Sequence, residues 1–156
     1  MVSIGKKVAN FSLPATGDKE LSLKDFKGRK LVIYFYPKDS TPGCTLEGQN
    51  FRDSYQQFQA AGTDILGVSR DSLKAHENFK SKQSFPFDLL SDQDETLCRQ
   101  FDVIHEKNMY GRKVMGIERS TFLIDSDGKL RKEWRKVKVD GHVEDVLAAV
   151  RELNRS

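Results

Sequence analysis

The chain has 156 residues, 37% hydrophobic, 10% aromatic and 31% charged, an ordinary globular balance that excludes a collagen-like chain, a coiled coil and a disordered tail. Its net charge of +3, from 26 basic and 23 acidic side chains, is too small to make nucleic acid the main partner, because phosphate binding takes a dense basic surface. Two cysteines and three separated histidines (His76, His105 and His142) exclude a disulfide-dense secreted scaffold and offer no ligand spacing for a structural metal.

Residues 1–13, MVSIGKKVANFSL, hold two lysines but no apolar run of secretory length. The longest apolar run, Leu31–Tyr36, has six residues, far short of a membrane span. A cytoplasmic protein with reduced thiols and no membrane contact is therefore expected. No Pro, Gly or Ser linker divides the chain, so residues 1–156 read as one domain.

Leu21–Leu23 is a short apolar/polar alternation behind a Gly17-Asp18 turn. Leu31–Tyr36 is a continuous apolar, aromatic-rich run, the pattern of a strand buried on both faces, and Pro37 ends it. The turn-rich Lys38–Gly43 leads into a predicted helix from Pro42 or Cys44 to Ala61, with Phe51, Tyr55 and Phe58 on one face and Gly62 just beyond. Asp64–Ser69 is a second buried strand, and Ser72–Gln83 is a polar helix with Ser72 at its N-cap. Phe87–Leu90 is a short strand and Asp94–Phe101 a short helix holding Cys98. His105–Glu118 sets Gly111 and Gly116 among basic and polar residues and reads as a surface loop. Ser120–Ile124 is a third buried strand, turning through Asp125–Gly128 into a hairpin partner at Leu130–Val137. Val143, Val146, Leu147, Val150 and Leu153 mark a C-terminal amphipathic helix. Alternating strands and helices indicate an α/β fold.

The chemistry concentrates in Tyr36–Thr45, YPKDSTPGCT. Cys44 falls in the first turn of a predicted helix, where backbone N–H groups lack intrahelical partners and the helix dipole is positive. Both favour a thiolate, and thiols in such places titrate as low as ~3.5–7.5 instead of about 8.5. Pro42 suits the first helical position, Gly43 lets backbone come close to a small ligand, and Thr41 offers a hydroxyl near the sulfur.

The spacing P-x-x-x-T-x-x-C, here Pro37, Thr41 and Cys44, with TPGCT after YFYPKD, resembles the active-site signature of peroxiredoxins of the bacterioferritin comigratory (Q-type) subgroup. Phe11-Ser12-Leu13-Pro14, Val68-Ser69-Arg70-Asp71, Leu90-Ser91-Asp92 and Arg119–Asp125 extend the resemblance over nearly the whole chain. It implies a thioredoxin-like fold, a central mixed β-sheet flanked by helices, and a thiol-dependent peroxidase without a cofactor. It also implies Cys44 as the peroxidatic nucleophile, Thr41 and Arg119 beside it, and Pro37, Pro42 and Gly43 shaping the pocket. The implied substrate is hydrogen peroxide or a small organic hydroperoxide. The implied reductant is thioredoxin, glutaredoxin or a small thiol, and the implied state a monomer or weak dimer.

A low thiol pKa alone cannot make a peroxidase. Dropping from about 8.5 to about 6 raises the thiolate fraction at pH 7 roughly 30-fold. The accompanying loss of nucleophilicity, with a slope of ~0.4–0.5, returns roughly 10-fold of that. The rate must come from donors aimed at the peroxide oxygens, each contributing up to ~10²–10³. Arg119, the Thr41 hydroxyl and the N–H groups of Gly43 and Cys44 are the candidates.

The family's resolving cysteine lies five residues after the nucleophile, here Gln49, or in the following helix, here Ala75–Gln83, and neither place holds a cysteine. A one-cysteine cycle with an external thiol is expected, with Cys98 open between a structural thiol and a resolving one. The absence of CxxC around Cys44 argues against a disulfide reductase. A non-catalytic interaction or holdase module is the rival from another class. Thr41 is open to a capping role only. The histidines and the basic run Lys129–Lys138 read as surface, and Trp134 as packing.

Overall fold

The computed structural model describes residues 1–155. Strands β1 (Ser12–Ala15) and β2 (Lys19–Ser22) form a hairpin, a 3-10 turn covers Leu23–Phe26, and β3 (Lys30–Phe35) follows. Helices α1 (Pro42–Asp53) and α2 (Tyr55–Ala60) lead to β4 (Thr63–Ser69), α3 (Leu73–Gln83), β5 (Asp88–Ser91) and α4 (Thr96–Gln100). The hairpin of β6 (Ile104–Met109) and β7 (Arg112–Ile117) precedes β8 (Ser120–Ile124), β9 (Leu130–Trp134) and α5 (His142–Asn154). Seven strands form one mixed sheet in the order β2-β1-β5-β4-β3-β8-β9, with β6-β7 apart from it. The expected α/β architecture, a central mixed sheet flanked by helices, is present.

The apolar run becomes β3, parallel to β4 and antiparallel to β8. Strand alternation divides its side chains between two cores. Leu31, Ile33 and Phe35 join Phe11, Leu97, Cys98 and Phe101 on one face. Val32, Tyr34 and Tyr36 join Cys44, Phe51, Phe58, Phe79 and the α5 stripe Val143, Val146, Leu147 and Val150 on the other. Fully burying one such side chain contributes about 1.5–3 kcal/mol, so two aromatic-rich cores anchor the sheet from both sides.

Three sequence expectations change. The long helix is two helices, because Asp53 and Ser54 are weak helix formers and Ser54 leaves the helical region at φ −101°, ψ 4°. The loop expected at His105–Glu118 is the β6-β7 hairpin, turning at Tyr110 (φ 53°) and Gly111 (φ 79°). Its strands are mostly solvated on both faces, so they carry no period-2 signal, and only Ile104, Gly116 and Ile117 at the base are well buried. As expected, a turn at Gly17 (φ 85°) and Asp18 (φ 55°) leads into β2, whose Leu21 pairs with Leu13 of β1. Finally, His76 and His142 are buried rather than superficial. Each is held by hydrogen bonds, His76 to Asp39 and the Leu90 carbonyl, His142 to Thr121. Trp134 packs against the second core as expected, with the Lys132 ammonium 5.2 Å from its ring centre.

Gly48 lets α1 lie against the ring of Phe85, and a Cβ there would overlap that ring. Gly48→Ala gains up to about 1 kcal/mol of helix propensity but incurs an overpacking cost of about 1–3 kcal/mol. The urea midpoint should therefore fall; an unchanged or higher midpoint would show that Phe85 yields freely.

Candidate active site

The sheet presents the carboxyl end of β3 to the loop that carries Cys44. Tyr36 continues the strand by donating its N–H to the Val68 carbonyl. Its hydroxyl donates to Asp39 Oδ1 at 2.6 Å, and the Asp39 N–H donates to Asp71 Oδ2 at 2.9 Å. Ser40 then turns through φ 62°, a left-handed conformation costing of order 1 kcal/mol or more in a non-glycine residue. The loop is thus held from both β3 and the turn after β4.

Thr41 is the N-cap of α1 by backbone geometry, φ −87° and ψ 156°, with Pro42 opening the helix. Its hydroxyl makes no capping bond and donates instead to the Lys38 carbonyl at 2.8 Å. Thr45 N–H to Thr41 O, at 2.9 Å, is the first helical bond. The first-turn N–H groups of Gly43 and Cys44 therefore have neither an intrahelical partner nor the Thr41 side chain. Cys44 is 2% exposed, at the floor of this turn.

Arg119, immediately before β8, reaches this floor. Its Nη2 lies 3.5 Å from Cys44 Sγ and its Nη1 donates to Glu47 Oε1 at 2.6 Å. A Cβ on Gly43 would stand 3.1 Å from Arg119 Nη2. The absent side chain at position 43 therefore makes room first of all for the guanidinium. Pro37 and Pro42 flank the loop and fix its φ angles.

Glu47 was invisible in the motif. It sits three residues after Cys44, on the same face of α1, and is fully buried with Arg119 as its partner. Burial pushes its carboxyl up to about 7, against the opposing pull of Arg119. Desolvation works against the Arg119 cation, but Glu47 and Cys44 outweigh it and hold Arg119 above its ordinary value. A buried acid three residues from a candidate nucleophile was the available signal, and only the burial identifies it.

Cys98 is elsewhere. It is fully buried in α4 in the core opposite Cys44, and its N–H donates to Asp92 Oδ2 at 2.7 Å. Burial, with Asp92 adding to it, pushes its thiol well above the ordinary range. Gln49 of α1 and Gln83 of α3 touch each other: Gln49 Nε2 donates to Gln83 Oε1 at 3.0 Å.

A sequence profile described as the AhpC/TSA family matches residues 4–133. Peroxiredoxin Bcp of Xanthomonas campestris is 58% identical over 145 residues, covering 92% of this chain and 91% of that protein. A structure of the X. campestris bacterioferritin comigratory protein, described in terms of alkyl peroxide reduction and a trapped intermediate/ligand complex, superposes with a TM-score of 0.87. It is 56% identical, and the match covers 91% of this chain and 90% of that one. A cysteine-to-serine mutant of PrxQ from Xylella fastidiosa gives a TM-score of 0.93 at 45% identity, covering 99% and 98% of the two chains.

Between its usual value of 4.5 and about 7, Glu47 binds a proton more tightly in the folded protein than in the unfolded chain. This group's contribution to stability therefore falls as pH rises through that window. Denaturant unfolding at pH 5 and pH 7.5 should show that loss in the wild type and its absence in Glu47→Gln. Parallel changes in the two proteins would contradict the raised carboxyl.

Proposed function

This chain belongs to the AhpC/TSA family and is a peroxiredoxin, a thiol-dependent peroxidase with a thioredoxin-like fold; on that premise we propose that residues 1–156 act as one domain in which Cys44 is the peroxidatic nucleophile. The observation that carries this reading is Arg119, which bridges Cys44 Sγ and Glu47 at the first turn of α1. The Cys44 thiolate attacks the terminal oxygen of the hydroperoxide. A sulfur–oxygen bond forms, the O–O bond breaks, and the leaving oxygen takes a proton to become water or an alcohol. Cys44 is left as a sulfenic acid. Arg119 and the N–H groups of Gly43 and Cys44 donate to the two oxygens as charge moves onto the leaving one. Thr41, tied to the Lys38 carbonyl, keeps the loop's shape and faces the oxygens from its capping position. Hydrogen peroxide and small organic hydroperoxides are the proposed substrates, in line with the alkyl peroxide reduction named for the Xanthomonas protein.

The reading includes a one-cysteine cycle. Cys44 and Cys98 belong to cores on opposite faces of the sheet, whereas a disulfide needs Cα atoms about 4.4–6.8 Å apart. Bridging them would take Cys44 out of its helix and Cys98 through the sheet. An external thiol, from thioredoxin, glutaredoxin or a small molecule, therefore condenses with the sulfenate and releases water. A second thiol then frees Cys44 as the disulfide of the two reductant sulfurs. A cytoplasmic setting supplies such thiols. We place the protein there as a monomer or weak dimer. Among the described residues no helix is long and apolar enough to cross a membrane.

Cys44→Ser should abolish peroxide consumption with dithiothreitol. Arg119→Ala should lose roughly 10²-fold in the second-order rate, even at a pH where Cys44 is fully ionised. Recovery to the wild-type rate at high pH would confine Arg119 to setting the thiolate fraction. Cys98→Ser should keep most of the turnover. Peptide mapping after one equivalent of peroxide should show a Cys44 sulfenate, and a dominant Cys44–Cys98 disulfide would overturn the one-cysteine cycle.

A further inference from the structure

The β6-β7 hairpin brings a further cation to the Cys44 site. Its base is fixed where the Glu118 N–H donates to the Val103 carbonyl at 2.8 Å, and Arg119 follows directly. Alternation along the two strands puts Lys107, Met109 and Val114 on one face, with Glu106 and Lys113 on the other. On that second face the charges are matched, Lys113 standing 3.6 Å from Glu106. On the first they are not. The Lys107 stem runs over Gly116, where a Cβ would stand 3.3 Å from Lys107 Cδ and 3.8 Å from Arg70 Nη2. Arg70 is engaged by Glu95 at 2.9 Å and Arg119 by Glu47 at 2.6 Å. Lys107 has no ion-pair partner among the described residues. Its half-buried ammonium is under the influence of Arg119, Cys44, Glu118 and Arg70. Burial first, and then Arg119, hold it below the ordinary lysine value, while Cys44 and Glu118 pull the other way.

A lysine that faces two arginines and gives up part of its hydration is not placed there for stability. What it offers is a positive charge, with three unclaimed N–H donors, on the hairpin beside the reacting sulfur. A cleft lined by one sign of charge raises the local concentration of an oppositely charged reactant, and its on-rate by about 10–10³-fold. The same face is also apolar: Val114 lies directly across from Lys107 and Met109 two residues along, and they are 39% and 49% exposed. Resting on the reading of Cys44 as the nucleophile, we propose that Lys107 is a specificity-determining residue: it takes the carboxylate of an organic hydroperoxide whose apolar body lies along Met109 and Val114 and whose peroxide group reaches Cys44. Gly116 leaves the room that the lysine stem needs. The covalent step is the one already described. Sulfur gains the terminal oxygen, the O–O bond breaks, and the leaving oxygen takes a proton and departs as the alcohol, with the carboxylate unchanged on that product.

Cumene hydroperoxide bearing a para-carboxylate and the methyl ester of that acid carry the same reacting group and differ by one charge. Stopped-flow oxidation of the full chain by each, at neutral pH and low salt, gives a ratio of second-order rate constants, acid over ester. Any effect of Lys107 on the Cys44 thiolate moves both rates together and cancels in this ratio, so the ratio reads the carboxylate contact alone. In the wild type it should be roughly 10 or more, and it should shrink as salt rises from about 0.01 M to about 1 M, because the attraction is screened. Lys107→Met keeps the length of the stem and removes the charge, and should bring the ratio to about one. Lys107→Glu should take it below one, so that the ester becomes the better substrate. Lys107 stands on a mostly solvated strand, so both variants should fold, and the salt series on the wild type needs neither. A wild-type ratio of about one would overturn the proposal, as would a preference for the acid that survives in Lys107→Met. A wild type in which neither hydroperoxide nor hydrogen peroxide oxidises Cys44 would instead overturn the reading of Cys44, and the proposal with it.

Discussion

The buried contact of Arg119 with Glu47 and Cys44 is the constraint around which the rest of the molecule is arranged. Removing an ion pair from water costs several kcal/mol per ion, so this pair is a poor source of stability. Truncating one member, however, strands the other and costs about 3–5 kcal/mol. The contact must therefore be met from both sides. The first turn of α1 has to present Cys44 and Glu47 on one face, β8 has to begin at Arg119, and position 43 has to be empty of a side chain. A guanidinium so held is a fixed donor, already desolvated and oriented before any peroxide arrives, which is the condition under which one donor is worth most.

That arrangement needs a rigid floor, and β3 supplies it. Because Leu31, Ile33 and Phe35 go one way and Val32, Tyr34 and Tyr36 the other, the strand is locked by two cores at once. Its parallel partner β4 and antiparallel partner β8 bring Asp71 and Arg119 to the same end. The loop between β3 and α1 is then short and tied down at Tyr36, Asp39 and Thr41.

Legibility followed the physics. The buried strands declared themselves as apolar runs because both of their faces are covered. The Cys44 turn declared itself through Thr41, Pro42 and Gly43, whose backbone preferences are local. Arg119, by contrast, was placed by family resemblance, since nothing in an Arg before an apolar strand says that it will turn inward. Glu47 and His76 escaped because a buried polar residue looks like a surface one until its partner, 72 and 37 positions away respectively, is known. The β6-β7 hairpin escaped because strands that are mostly solvated on both faces lack hydrophobic alternation. The break at Ser54 is a matter of two weak helix formers in a row, too small a signal to outweigh the Phe51–Phe58 stripe.

The contact between Gln49 and Gln83 bears on how such a chain can change over generations. These two amides join α1 to the end of α3 on the Cys44 side of the sheet. Cys98 lies in the core on the far side. On the proposed one-cysteine reading, a self-contained redox cycle would be gained by a point substitution on the Cys44 side, at position 49 or along α3. Each is a single-codon innovation at a seam already in contact. On that reading, dependence on an outside reductant would change by one substitution while the scaffold stays intact.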